Sequence, residues 1–288
     1  MLTIRNPVEW GVDQLKHAAG AVEAAGRAGR RTRENLHSPA PAVARITVTD
    51  LWQALAGGFR DFAAFRTDVA FLCVLYPIAG LILVRLAFGY RMLPLLFPLA
   101  SGFALVGPFA AVGLYEMSRR REQGAQIGWS DAFGVGRSPA IGAIVALGLL
   151  LMAIFLLWLA AAMAIYAATL GPEAPVSAAA FVRNVFTTHA GWALIGVGVG
   201  VGFLFAVLVL AISVVSFPLL LDREAGLDTA ILTSVRTVTA NPGPMALWGL
   251  IIAAGLVIGS IPCLLGLIMV MPVLGHATWH LYRRVVPR

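Results

Sequence analysis

Residues 140–168 read AIGAIVALGLLLMAIFLLWLAAAMAIYAA, an unbroken apolar run without one charged side chain. As a helix at 1.5 Å per residue it covers about 43 Å, more than the roughly 30 Å of a bilayer's hydrocarbon core. Working outward from this run, five more apolar stretches follow the same pattern, at about 69–88, 93–116, 191–221, 245–260 and 262–282. They are continuous and helix-length, which excludes an outer-membrane barrel of ten-residue alternating strands. The expected fold is all-α: a polytopic membrane protein whose six transmembrane helices form three hairpins.

Composition agrees. The chain is 59% hydrophobic and only 12% charged, against about 25% charged in soluble domains. The net charge of +7 would suit nucleic acid, but its placement gives a different reason for it. With the amino terminus in the cytoplasm and six spans threaded, 18 of the 21 Lys and Arg residues fall on the cytoplasmic side. Only Arg85, Arg91 and Arg183 lie elsewhere. That is the positive-inside pattern, so both termini are expected in the cytoplasm. Lipid is the expected partner, with anionic lipid drawn to the basic face, and no nucleic acid is expected. No cleavable signal peptide is expected in residues 1–46, where no apolar core precedes a small-residue site. Cys73 and Cys263 both lie in apolar stretches and read as small core residues rather than a disulfide.

The chain divides into a polar, Ala- and Arg-rich arm over 1–46, expected to be partly disordered, and a membrane domain over 47–288. The domain reads as three repeats, each a short interfacial helix followed by a hairpin. Thr49-Asp50, Ser130-Asp131 and Asp228 supply the N-terminal signals of those helices. In the first, Leu51, Leu55, Phe59 and Phe62 are expected to share a lipid-facing side, with Arg60 and Asp61 off it. The closing helices of the first and third repeats match: Pro108 and Pro272 each precede an aromatic by seven residues and an arginine pair by eleven and twelve. Gly259-Ser260-Ile261-Pro262 breaks what would otherwise be one 60 Å helix from 245 to 285. Asn241-Pro242-Gly243-Pro244 reads as a rigid elbow before the fifth span.

Two constellations invite chemistry. His276 and His280, one turn apart, project from one helix face and could share a metal with Glu116 or Asp222. The other reading makes them interfacial polar groups. Gly196, Gly198, Gly200 and Gly202 form two small-xxx-small pairs, Gly196 with Gly200 and Gly198 with Gly202, which suit close helix packing within this chain or with another. No Ser/His/Asp set, phosphate loop or HExxH motif is present, and no acidic or basic residue falls near the middle of a span. Pumps and proton relays usually need the latter. No enzyme activity and no cofactor are therefore expected, and two histidines are too few for a haem–copper oxidase core.

The stretches GPFAAVGLYEMSRR (107–120), FPLLLDRE (217–224), NPGPMALWG (241–249) and MPVLGHATWHLYRR (271–284) resemble a bacterial family of multi-pass membrane proteins known only as a domain of unknown function. The resemblance spans about 50–285. It implies an inner-membrane location and about six spans, without a substrate or catalytic residues. Some relatives look as though they are labelled as oxidase subunits, so an accessory role beside a respiratory complex fits. The expectation for function is thus a non-enzymatic accessory, assembly or scaffold subunit with a membrane-protein partner or a second copy. The alternatives are a transporter or channel for an apolar or lipid-like molecule, and a metal-binding membrane protein.

Overall fold

A computed structural model of the chain describes residues 41–73, 85, 93–125, 134–136, 138–173, 175–223, 225–262 and 264–287. No strand occurs among them. Ten helices follow in order: α1 (Val48–Cys73), α2 (Leu96–Ala110), α3 (Val112–Glu122), α4 (Ile141–Thr169) and α5 (Ala178–Thr187). Then come α6 (His189–Ser213), α7 (Ser216–Asp222), α8 (Leu227–Ala240), α9 (Pro242–Ser260) and α10 (Leu267–Val285).

Four helical stretches among the described residues are long and apolar enough to cross a membrane: Leu93–Glu122, Ile141–Thr169, His189–Asp222 and Pro242–Ser260. Each coincides with an expected span. The expected span at 69–88 lies mostly outside the described residues. The one at 262–282 corresponds to α10, which is not among the four. Pro272, His276, His280, Arg283 and Arg284 within its nineteen residues lower its hydropathy.

The spans pack as antiparallel neighbours. Phe109 of α2 lies on Gly148 of α4, while Ser101 near the start of α2 accepts the Trp158 indole N–H at 2.9 Å. Trp158 in turn packs against Phe205 of α6 with the rings tilted, 5.5 Å between centroids. The chain turns at 261–266, and α10 runs back along α9, with Gly259 against Leu267 and Gly255 against Val270 and Leu274. Pro108 has no amide to donate, and the helix from Leu96 breaks three residues later at Ala111.

The first repeat differs from expectation. Its interfacial helix is not separate: α1 runs unbroken from Val48 to Cys73, past the expected start of the first span, because no proline interrupts the sequence before Pro77. Of the second interfacial helix, the described Gly134–Gly136 form a single 3₁₀ turn. The third is α8. A further helix, α5, was not anticipated. It starts at Ser177, whose hydroxyl caps the Ala180 amide.

Leu149, Leu157, Phe203 and Leu204 on the long helices are all more than 60% exposed, as lipid-facing positions are. The densest packing lies instead at one end of the bundle, where α1, α3, α7 and α10 meet. Leu51, Met117, Phe217, Leu219, Trp279 and Tyr282 are all fully buried there.

Candidate functional site

That packed end holds most of the ionisable side chains among the described residues. It depends on how α1 meets α10. Leu51, Ala54, Gly57, Gly58 and Asp61 recur at helical spacing and form the buried stripe of α1. Gly58 lies against the Val273 carbonyl and Ala277, so close that a Cβ there would come within 2.5 Å of the carbonyl oxygen. The two glycines let the helices approach, and the approach buries Asp61. Asp61 therefore shares the buried face of Leu51, contrary to its expected place off that face with Arg60. Phe59, expected against the lipid-facing side with Leu51, is exposed while Leu51 is fully buried.

Asp61 is bonded on both oxygens. Oδ1 accepts Arg121 from α3 at 2.9 Å, and Oδ2 accepts the Ser118 hydroxyl at 2.6 Å. The same Oδ2 lies 2.9 Å from His280 Nε2, and Ser118 Oγ lies 2.8 Å from His276 Nδ1. Proton counting assigns the tautomers. Asp61 only accepts, so His280 Nε2–H donates to it; Ser118 gives its single proton to Asp61, so His276 Nδ1–H donates to Ser118. Burial opposes the charge on Asp61, but the hydrogen bonds from His280 and Ser118 outweigh it and hold the carboxyl below its ordinary value. The serine's proton goes to a carboxylate rather than to an imidazole, the reverse of a nucleophile activated by its base.

The other carboxylates are also taken up. Glu116, buried, receives Arg119 at 2.8 and 2.9 Å and Arg120 at 2.7 Å. Asp222 accepts the Tyr282 hydroxyl at 2.7 Å and Arg283 at 2.8 Å, while Glu122 accepts Arg283 at 2.9 Å and the Trp279 indole at 3.2 Å. Arg283 also lies over the Trp279 ring. Asp50 binds Arg284 at 2.8 Å, and the amide and hydroxyl of Thr47, with Arg284, hold its carboxyl below the usual range.

The residues expected to share a metal are thus divided. His276 and His280 come together through Asp61 and Ser118, whereas Glu116 and Asp222 are paired with arginines elsewhere in the cluster. No group of three or more His, Cys, Asp or Glu among the described residues is arranged to hold a metal ion. The cluster can do one thing well: it joins the first described helix to the last through charge-assisted bonds. Asn241 extends the same join. Its Oδ1 accepts the Ile46 amide at 2.8 Å, and its Nδ2 donates to the carbonyls of Ala44 and Thr237. The elbow at 241–244 is therefore also a clamp, and it holds the last residues of the 1–46 arm against the membrane domain. Asp61, Ser118 and Asn241 are absent from the expected site; the Gly57-Gly58 pair was the available signal for the first.

The glycines of α6 separate into two faces. Gly202 packs on Trp158, 3.1 Å from a would-be Cβ. Gly196, Gly198 and Gly200 have nothing within 4 Å of that position. Gly198 is half-buried, while Gly196 and Gly200 are exposed on a stripe with Ala193, Phe203 and Val207.

Residues 96–222 match the family described as "Predicted integral membrane protein (DUF2189)", a family of unknown function. The match is narrower than the expected 50–285 and covers three of the four candidate spans. Neither a curated protein nor a solved structure is significantly similar to the chain. The protein is accordingly an integral membrane protein with several apolar helices.

Proposed function

We propose that this protein is a non-enzymatic accessory or scaffold subunit, and that the outer glycine face of α6 is where it meets another membrane helix. The observation that carries this is the pair Gly196 and Gly200. They lie one turn apart, both are exposed, and no described atom occupies the space a side chain would fill. Between helices in lipid the hydrophobic effect is small, and association depends on close packing, which small residues at four-residue spacing permit. The ionic cluster suits the same role. Its carboxylates are paired with arginines, and with His280 at Asp61, so the cluster ties helices together. The arginine distribution supports a bacterial inner membrane with both termini in the cytoplasm.

The test is purification of the tagged chain from its native membrane in mild detergent, with co-purifying chains identified. A stoichiometric partner, either another protein or a second copy, is expected with the wild type and is lost with Gly196→Leu/Gly200→Leu. A double variant that folds and keeps its partner in full contradicts the proposal. Gly202→Leu is not the right probe, because it collides with Trp158 inside the chain.

A further inference from the structure

At the packed end of the bundle, Arg119, Arg120, Arg121, Arg283 and Arg284 each bond a carboxylate. Arg45, Arg60 and Arg236 do not. All three are exposed and make no hydrogen bond or ion pair through their side chains with a described residue. Their backbones are nonetheless fixed. Arg45 sits between Ala44 and Ile46, both held by Asn241, and Arg236 adjoins Thr237, whose carbonyl Asn241 also binds. The Arg60 carbonyl accepts Arg121 at 3.0 Å.

Beside Arg60, the side of α1 turned from α10 carries Trp52 and Phe59, 58% and 48% exposed. Exposed tryptophan beside arginine, at the end of a set of apolar helices, is the composition of a membrane–water boundary. We infer that this end of the protein binds anionic phospholipid, with Arg45, Arg60 and Arg236 on headgroup phosphates and Trp52 and Phe59 in the headgroup layer. Phospholipid fits better than an acidic protein because the apolar stretches that end here already place the surface against a bilayer. A guanidinium forks onto a phosphate with two parallel hydrogen bonds, and each cation near such a surface adds attraction.

The experiment uses the full chain reconstituted in phosphatidylcholine with about 30% phosphatidylglycerol, an anionic bilayer of the kind that attracts basic side chains. The protein is then extracted in mild detergent and the retained lipids are counted by mass spectrometry. The wild type is expected to retain phosphatidylglycerol over phosphatidylcholine at about five times their bulk ratio, an enrichment ratio of about five. Arg45→Gln/Arg60→Gln/Arg236→Gln brings the ratio close to one, whereas the corresponding triple lysine variant keeps most of it. Arg183→Gln, an exposed arginine on α5 at the opposite end, leaves it unchanged. If the triple glutamine variant loses its monodisperse elution, the three single variants are read instead, each expected to lower the ratio in part. No enrichment in the wild type overturns the inference. So does enrichment untouched by the glutamine variants, an equal loss with Arg183→Gln, or an acidic protein that occupies this end and excludes the lipid.

Discussion

His280 Nε2 lies 2.9 Å from Asp61 Oδ2, a bond across 219 positions of sequence that fastens the first described helix to the last. Arg121 and Ser118 of α3 complete the same carboxylate, so three helices share one buried charge. Replacing Asp61 by asparagine keeps the shape and removes the charge. It removes one charged partner of Arg121 and puts an amide where two donors need an acceptor. The expected loss is about 2–4 kcal/mol, read as a lower unfolding midpoint in detergent. An unchanged midpoint would mean the cluster contributes nothing to the fold.

The same group sets an acid limit. Its carboxyl is depressed in the folded protein, so the stabilisation is complete above the unfolded value of about 3.9 and is lost as pH falls through the lower folded one. The unfolding midpoint should owe nothing to Asp61 titration between pH 7 and about 5 and should fall below about 4. Asp61→Asn should lack that contribution. An Asp61-dependent loss centred near pH 6 would contradict the assignment.

Gly58 is where α1 and α10 touch. Gly58→Ala places a methyl against the Val273 carbonyl and Ala277, and backbone cannot yield as a long side chain does. About 1–3 kcal/mol of destabilisation is expected. Gly243→Ala, with nothing within 4 Å, should stay within about 0.5 kcal/mol. Paired unfolding curves in one detergent check both.

How far the sequence reaches is clearest at α1. The apolar runs at 140–168 and 245–260 became α4 and α9 almost to the residue, because an uncharged run of that length has few alternatives. Asp61 did not. Its neighbour Arg60 made both look like outward polar residues, and only the contact of Gly57 and Gly58 with a helix more than 200 residues away turns Asp61 inward. Hydropathy carries no information about such a partner. The histidines show the same limit: their spacing correctly places them on one face, but Asp61 and Ser118, not Glu116 or Asp222, lie opposite. Likewise the alternating glycines of α6 were expected to pack as one set, and only the position of Trp158 separates the filled Gly202 from the open Gly196, Gly198 and Gly200.

Asn241 gives a discriminating pair of substitutions. Asparagine both accepts from Ile46 and donates to Ala44. Asn241→Asp keeps the acceptor and loses the donors, so it should restore only part of what Asn241→Ala loses. Each missing bond is worth about 1 kcal/mol, or roughly fivefold in local opening. Limited proteolysis within residues 41–47 should quicken about fivefold in Asn241→Asp, which loses the bond to Ala44, and about 25-fold in Asn241→Ala, which loses the bond from Ile46 as well. Cleavage at the wild-type rate in Asn241→Asp would show that the donors to Ala44 and Thr237 do not hold the segment.

The central claim is that α6 presents its open glycine face to another helix. Phe203 lies on that face and is 65% exposed. The most direct measurement places a photo-crosslinking amino acid at Phe203 and irradiates intact native membranes. A specific protein adduct is predicted, weakened when Gly196→Leu/Gly200→Leu is added. Adducts with lipid alone, at the yield of an exposed control position such as Leu149, would contradict the account.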